Sequence, residues 1–299
     1  MKIYNCKSII LSSAIIVVVV FFSVANANEL NLRGKIIFNT YKGLEVISLD
    51  NVESWSNPEL IKTENLPIAY PEWLPDGKSV VCEFGNMNKI TSIELDNLNV
   101  VFWDSPNADM LPDGYLEKFI QPQVSPNGEY LAMYLIDNNT GYRMAVYDKK
   151  NNSLKICYEE YSQTKRFSWF QDSNKIAFET RDREVALYDF KNHAITILIK
   201  GRYPIIHPIS NEIYYVGLDD KLYVISVDDR TPKRISRKNW GWVIPIAFSK
   251  DGRFLYYTDT ATVFLLEKEA IYVYDIKLNE KHRISCKYSN IEGGSLFEE

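Results

Sequence analysis

Tyr70-Pro71-Glu72-Trp73-Leu74-Pro75-Asp76-Gly77-Lys78-Ser79-Val80-Val81 joins a proline and aromatic approach to a short polar turn and then an apolar strand. Ala247-Phe248-Ser249-Lys250-Asp251-Gly252-Arg253-Phe254-Leu255-Tyr256-Tyr257 repeats the pattern far along the chain. The unit ends in a second apolar strand that stops on aspartate, as in Glu45-Val46-Ile47-Ser48-Leu49-Asp50, Met144-Ala145-Val146-Tyr147-Asp148 and Ile271-Tyr272-Val273-Tyr274-Asp275. One such unit cannot bury its own apolar faces. Strand repeats with a period of about 40–50 residues therefore stack radially or as a solenoid.

The terminal aspartates serve as a ruler. Asp50, Asp96, Asp148, Asp189, Asp228 and Asp275 are separated by 46, 52, 41, 39 and 47 residues. This spacing predicts an all-β, six-bladed β-propeller with four-stranded blades over residues 28–299. The turn before each second strand is clear at Pro75-Asp76-Gly77, Pro126-Asn127-Gly128 and Lys250-Asp251-Gly252, and decays at residues 171–174 and 208–211. Proline presets φ, Asp or Asn bonds the local backbone, and glycine accepts positive φ. Second strands are expected at 80–84, 130–135, 175–179, 212–216 and 254–258, and third strands at 45–49, 90–95, 142–147, 185–188, 221–227 and 270–274.

The fourth strands, as at 154–158, 194–199 and 281–286, read as short and partly polar. That suits an outer edge, where charge discourages pairing with another molecule. No sustained 3.6-residue apolar period exists after the N-terminus, so almost no helix is expected. Trp73 and Trp169 are expected to pack between blades. Blade one lacks its own proline–aromatic approach. Its innermost strand must come from residues 30–33 or from the tail at 294–297, and the N-terminal segment is the favoured source. Residues 103–119 form a long connection between blades two and three. Residues 260–269 are either a simple extension of two strands or an apolar partner-binding tip.

At the N-terminus, Lys2 and Lys7 precede an apolar run over 9–24, and Val24-Ala25-Asn26-Ala27 follows. A basic head, an apolar middle and an A-x-A exit read as a secretory signal peptide over residues 1–27. The protein is then periplasmic or secreted. An uncleaved run would instead anchor it in the membrane, since its length is near the lower limit of roughly 17 residues for a span. Without Lys2 and Lys7, 32 basic residues face 39 acidic ones with the signs interspersed, which argues against a nucleic-acid surface. Cys82, Cys157 and Cys286 lie in or beside apolar strand patterns and read as free thiols in the core.

On Pro71-Glu72-Trp73-Leu74-Pro75-Asp76-Gly77, Gln123-Val124-Ser125-Pro126-Asn127-Gly128-Glu129-Tyr130-Leu131-Ala132 and Phe167-Ser168-Trp169-Phe170-Gln171-Asp172, the chain resembles the TolB-like, WD40-like (PD40 repeat) propellers. The resemblance covers nearly all of the chain after residue 27. It lacks a counterpart of the small N-terminal domain of TolB, which together with the propeller binds an envelope lipoprotein. Propellers of prolyl-oligopeptidase-like enzymes share the repeat, but their G-x-S-x-G nucleophile elbow is absent here. The resemblance implies architecture strongly and function weakly, because the motif residues build turns and core.

Residues of catalytic type do not converge in this pattern. His193, His207 and His282 fall on different blades, whereas zinc needs three or four ligands at one point. Asp219-Asp220, Asp228-Asp229 and Asp137-Asn138-Asn139 lack the spacing of a calcium loop. No metal and no cofactor is expected. What remains is a binding surface on the ring end that carries the connections between second and third strands and between blades. Its candidates are Tyr142, Arg181, Arg183, Trp240 and Trp242. Arginine clamps carboxylates bidentately, though Arg181-Asp182-Arg183 is also an ordinary charged turn. Tryptophan is a preferred hot-spot residue, though Trp242 also fits a wedge between blades. The favoured function is a non-catalytic exported module that binds an envelope protein or peptide. The alternatives are a carbohydrate- or small-molecule-acting propeller enzyme, and a stand-alone propeller partnering a separate peptidase.

Overall fold

The structure is a computed structural model that describes residues 30, 32–40, 42–51, 54–55, 57–61, 68–84, 89–97, 99–102, 110–111, 113–137, 141–158, 167–236, 243–263, 266–285 and 294–298. Blade one contains β1 (Lys35–Thr40), β2 (Gly43–Ser48) and β3 (Glu59–Ile61). Blade two is β4 (Ile68–Trp73), β5 (Ser79–Phe84), β6 (Lys89–Glu94) and β7 (Asn99–Phe102). Blade three is β8 (Tyr115–Val124), β9 (Tyr130–Asp137), β10 (Tyr142–Asp148) and β11 (Ser153–Tyr158). Blade four is β12 (Phe167–Trp169), β13 (Lys175–Glu179), β14 (Glu184–Asp189) and β15 (Ala194–Lys200). Blade five is β16 (Arg202–Ile206), β17 (Ile213–Val216), β18 (Leu222–Ile225) and β19 (Lys233–Arg234). Blade six is β20 (Ile244–Phe248), β21 (Phe254–Val263), β22 (Leu266–Asp275) and β23 (Glu280–Arg283). Every pairing is antiparallel, and the expected six-bladed propeller is the fold.

The ring closes with the tail. β24 (Gly294–Phe297) pairs with β1 in the register Ile36↔Leu296 and Ile37↔Ser295, completing blade one as β24-β1-β2-β3. The favoured N-terminal source is thus corrected. Leu30 and Leu32 are buried instead among Ile36, Trp55, Ile246 and Phe254, where they fill the wedge between blades six and one. The tail pairs with β1 over residues 35–38, which leaves Leu30 and Leu32 free to fill the wedge. The long second-to-third connection of blade six is mostly paired strand: β21 and β22 run together to Val263↔Leu266. Phe264 and Leu265 lie outside the described residues. The connection between blades two and three is shorter than expected, because β8 already begins at Tyr115.

Period-2 alternation explains why the second strands read as continuous apolar runs. Val80 and Cys82 face blade one, while Val81 faces blade three. Ile176 and Phe178 face blade three, and Ala177 faces blade five. Six apolar clusters result, one at each junction between blades. Trp73 joins the cluster between blades one and two, and Trp169 the one between blades three and four. Both are 7% exposed, as expected of wedge residues.

The aspartate ruler has a local cause. Asp148 accepts from the Asn151 N–H at 3.0 Å, Asp189 from Lys191 at 2.9 Å, and Asp275 from Leu278 at 3.0 Å. Each carboxylate caps the turn to the fourth strand, an Asx-type use of aspartate. Asp275 is fully buried. Burial pushes its pKa up, but two bonds from Arg253 and the Leu278 N–H outweigh that and hold it below the ordinary value. Gly252, at φ 72° in the turn after β20, is fixed twice over. A Cβ there would stand 2.2 Å from Nε2 of His207 on the neighbouring blade.

Truncating Trp169 to alanine should cost about 3–5 kcal/mol, from lost transfer energy and the cavity left behind. Urea denaturation measures it. A loss below about 1 kcal/mol would mean that the wedge collapses around the missing ring.

Candidate functional site

Inner strands run from the end bearing the second-to-third connections to the end bearing the first-to-second turns. The first end carries the expected binding residues. Tyr142 opens β10, half-buried, with its ring edge-on to Tyr134 at 6.3 Å. Arg181 and Arg183 stand exposed in the turn between β13 and β14, where the Arg183 N–H bonds the Thr180 carbonyl at 3.1 Å. Tyr142 and this arginine turn therefore share one ring end on adjacent blades. Trp240 and Trp242 lie outside the described residues.

Sequence reasoning missed what lies beneath the arginines. Glu179, the last residue of β13, is 4% exposed. Its Oε2 accepts the Tyr203 N–H of the next blade at 3.0 Å. Tyr203 has φ 54° and precedes Pro204, and the β16–β17 register shifts at this point. The left-handed bulge turns the N–H out of its own blade toward the carboxylate. The same arrangement joins Gln121, which has φ 53° and precedes Pro122, to Glu83 of blade two at 3.4 Å. The findable signal was a pair: glutamate at or next to the end of a second strand, and a residue–proline step one inner strand later. Burial pushes the Glu179 pKa up to about 7, opposed by the Tyr203 N–H and the charges of Arg202 and Arg183. Burial, and then the Glu179 charge, raise the Tyr203 pKa. Arg202 pairs with Asp220 and lies 5.6 Å over the Tyr203 ring. Leu218, beside Asp219 and Asp220, is 57% exposed.

A channel of 390 Å³ runs along the axis toward the opposite end and takes its lining from all six inner strands. Trp73, Val124, Trp169, Ile206, Phe248 and Leu296 supply its apolar wall at equivalent positions. Glu72, Gln123, Ser168, Ser295 and Glu298 supply polar groups. Burial, the largest influence, raises the Glu298 pKa, and the Lys250 N–H opposes it. Two of the serines are already engaged, Ser295 with the Trp73 N–H at 3.3 Å and Ser168 with the Ile206 N–H at 2.9 Å.

The histidines are spread over three blades. His193 contacts the Tyr188 hydroxyl at 3.1 Å, and His282 lies on outer strand β23 near Glu280. His207 receives the Ser210 N–H on Nδ1, so its Nε2–H donates to the Gly252 carbonyl at 3.1 Å. Ser210 also donates to Glu212 at 2.8 Å. Serine, histidine and glutamate thus meet, but in the wrong order for a triad. The glutamate holds the serine rather than the imidazole, and the outer imidazole nitrogen faces a backbone carbonyl. Among the described residues, no three of His, Cys, Asp and Glu are grouped so as to hold a metal ion. Burial raises the thiol pKa values of Cys82 and Cys157, the latter to about 12, and both thiols are free.

No protein-family model and no curated protein sequence matches this chain. Solved structures do match its fold. TolB from Acinetobacter baumannii aligns with a TM-score of 0.63 at 13% identity over 88% of this chain, which spans 66% of that protein's length. A putative TolB from Agrobacterium tumefaciens aligns at 0.59 and 14% identity over 89% of this chain and 98% of that one. A chain of a nidogen/laminin complex aligns at 0.62 and 10% identity over 88% and 97%. At such identities the likeness is one of fold, and that fold is the one the TolB-like repeat implies.

Glu179 has a measurable signature. Its folded pKa of about 7 lies above the ordinary glutamate value of 4.5, so the folded state keeps a proton that the unfolded chain releases in between. The stability held by the neutral form is complete below pH 4.5 and lost as pH rises through about 7. Glu179→Gln should remove this fall, gaining on the order of 3 kcal/mol at pH 8 relative to its difference from wild type at pH 4. Parallel urea-stability profiles for the two proteins would show that the carboxyl titrates normally.

Proposed function

We propose that this protein is a non-catalytic, exported module that binds a protein or peptide through the ring end bearing the second-to-third connections. The observation that supports this most is the company kept there: exposed Arg181, Arg183 and Leu218 lie on neighbouring hairpins, with half-buried Tyr142 beside them. Apolar anchors with adjacent guanidinium groups suit a partner that offers an apolar side chain and a carboxylate or carbonyl. Trp240 and Trp242, on the connection between blades five and six, are proposed as further anchors on the same end. Similarity in fold to TolB proteins, and to a chain of a two-protein complex, supports a protein partner. Residues 1–27 are proposed as a cleaved signal peptide. Among the described residues, no helix is long and apolar enough to cross a membrane.

A second reading rests on the channel, where Glu72 and the half-buried Glu298 line one cavity. A carboxyl group of raised pKa in a cleft is a candidate general acid. That reading makes the protein an enzyme acting on a carbohydrate or small molecule, and Glu298→Gln would then abolish turnover in a chain that circular dichroism still shows folded.

Pull-down from envelope extract separates the readings. Replacing Trp240 and Arg183 together should remove the captured partner, whereas replacing His193 or His282 should not. Identical captures with the double variant would place the binding face elsewhere. Mass spectrometry of the protein recovered from periplasm should show a chain that begins at Asn28. Recovery of an intact N-terminus from the membrane fraction would mean an anchor.

A further inference from the structure

The outer strands of five blades discourage pairing with a second molecule. β3, β19 and β23 are short and carry Glu59, Lys233 with Arg234, and Glu280 with Lys281. β11 carries Lys155, and β7 has four residues. β15 does not fit this pattern or the expectation of a short, partly polar edge. It has seven residues, Ala-Ile-Thr-Ile-Leu-Ile-Lys, and the first six are uncharged. Ile195 is 41% and Ile197 44% exposed. In the described residues, β15 pairs only with β14, which leaves its outer row of backbone donors and acceptors without a strand partner.

We infer that the outer edge of β15 is a self-association surface, which pairs antiparallel with β15 of a second copy of this chain. The occupant follows from self-complementarity. A two-fold axis at Thr196 sets Ile195 of each copy opposite Ile197 of the other. The side chains at 195 and 197 share one face of a strand, so four isoleucines form one cluster. Thr196 meets its own counterpart on the other face, and Ala194 meets Leu198. Residues 194–197 fall in the regular part of the strand, and Leu198 is the bulged residue at which the register with β14 shifts.

The charges permit this pairing. Lys200, the one charged residue of β15, already bonds Glu184 of its own blade at 2.8 Å. The antiparallel arrangement brings it near the uncharged Asn192 rather than near another lysine. It also brings the turn holding Lys191 on one copy toward the turn holding Asp182 on the other. Edge pairing would join two blades into one eight-stranded sheet. It is an isologous contact that closes on itself, and so gives a dimer and no fibre. A seven-residue strand buries less than the roughly 1,200 Å² of a standard interface, so the dimer should dissociate on dilution.

Light scattering across a dilution series of the exported chain should show a monomer–dimer equilibrium. Ile197→Lys should weaken association by about tenfold or more, since it sets two like charges into the paired cluster. Val101→Lys, at an equally exposed position on β7, should leave association unchanged. Circular dichroism melts should show both variants folded. Thr196→Cys supplies a test of register. Cα atoms directly opposite in an antiparallel pair are about 4.5–5.5 Å apart, within disulfide range, so oxidation should give a covalent dimer that the unmodified chain does not form. A monomer at every concentration, or cross-linking no greater than in the unmodified chain, would overturn the proposal. An extended peptide found to add to β15 of a monomer would overturn it as well.

Discussion

The pairing of β24 with β1 joins the two far ends of the chain, and the other five junctions depend on it. Each blade buries both of its faces, but only against its neighbours. An open arc would expose the apolar cluster that contains Phe38, Ile47, Tyr256 and Ile271 on both sides of the gap. The closure is reinforced at every junction by a hydrogen bond that crosses between blades. Asn39 donates to the Ile68 carbonyl, Gln121 to Glu83, and the Trp169 indole to the Gln123 carbonyl. Tyr203 donates to Glu179, His207 to Gly252, and Lys250 to Glu298. Apolar area supplies most of the energy. These directed bonds fix the angle at which each wedge is filled.

Two of these clasps carry a cost. A non-glycine residue at positive φ is strained by roughly 1–2 kcal/mol, and a following proline restricts it further. Gln121 and Tyr203 accept that strain because the inner strand is an edge, where a proline removes no ladder bond, and because the displaced N–H gains a carboxylate. The carboxylate has a cost of its own, since Glu179 is nearly dry. Desolvation and part of the backbone strain thus lie at the seams between blades, and Arg183, at φ 56°, carries strain of its own in the turn above Glu179. A seam held this way sets that turn on a rigid base, which suits recognition by preorganised side chains.

Much of this fold is written locally. The turn after the inner strand in blades two to six, and the aspartate at or just past the end of each third strand, act within a few residues, so they recur visibly and count the blades. Histidines scattered in the repeat pattern are scattered in space for the same reason. Closure was legible only as a choice between residues 30–33 and the tail at 294–297. Gly294-Ser295-Leu296-Phe297 has no proline–aromatic approach, and its partner strand lies more than 250 residues away. Leu30 and Leu32 alternate as a strand would, yet alternation cannot distinguish a paired edge from a wedge filler. The Glu179, Arg202 and Asp220 group was equally hidden, because its members come from two blades and meet only through a bulge. β15 was misread because Thr196 and Lys200 look polar enough for an edge, while Ile195 and Ile197 are exposed as well.

The two ends of the ring divide the work. At the end with the first-to-second turns, polar side chains are spent on the ring itself: His207 on Gly252, Ser173 on the Asn127 N–H, Glu298 on the Lys250 N–H. A new side chain there disturbs a junction, as the contact between a Cβ on Gly252 and the His207 ring makes plain. At the other end the junction bonds lie one layer deeper, at Glu83 and Glu179, and the turn above Glu179 is exposed. Residues such as Arg183 and Leu218 can therefore vary without opening a seam. A fold under this constraint can acquire a binding surface at that end without loss of stability, and the proposed partner site lies there.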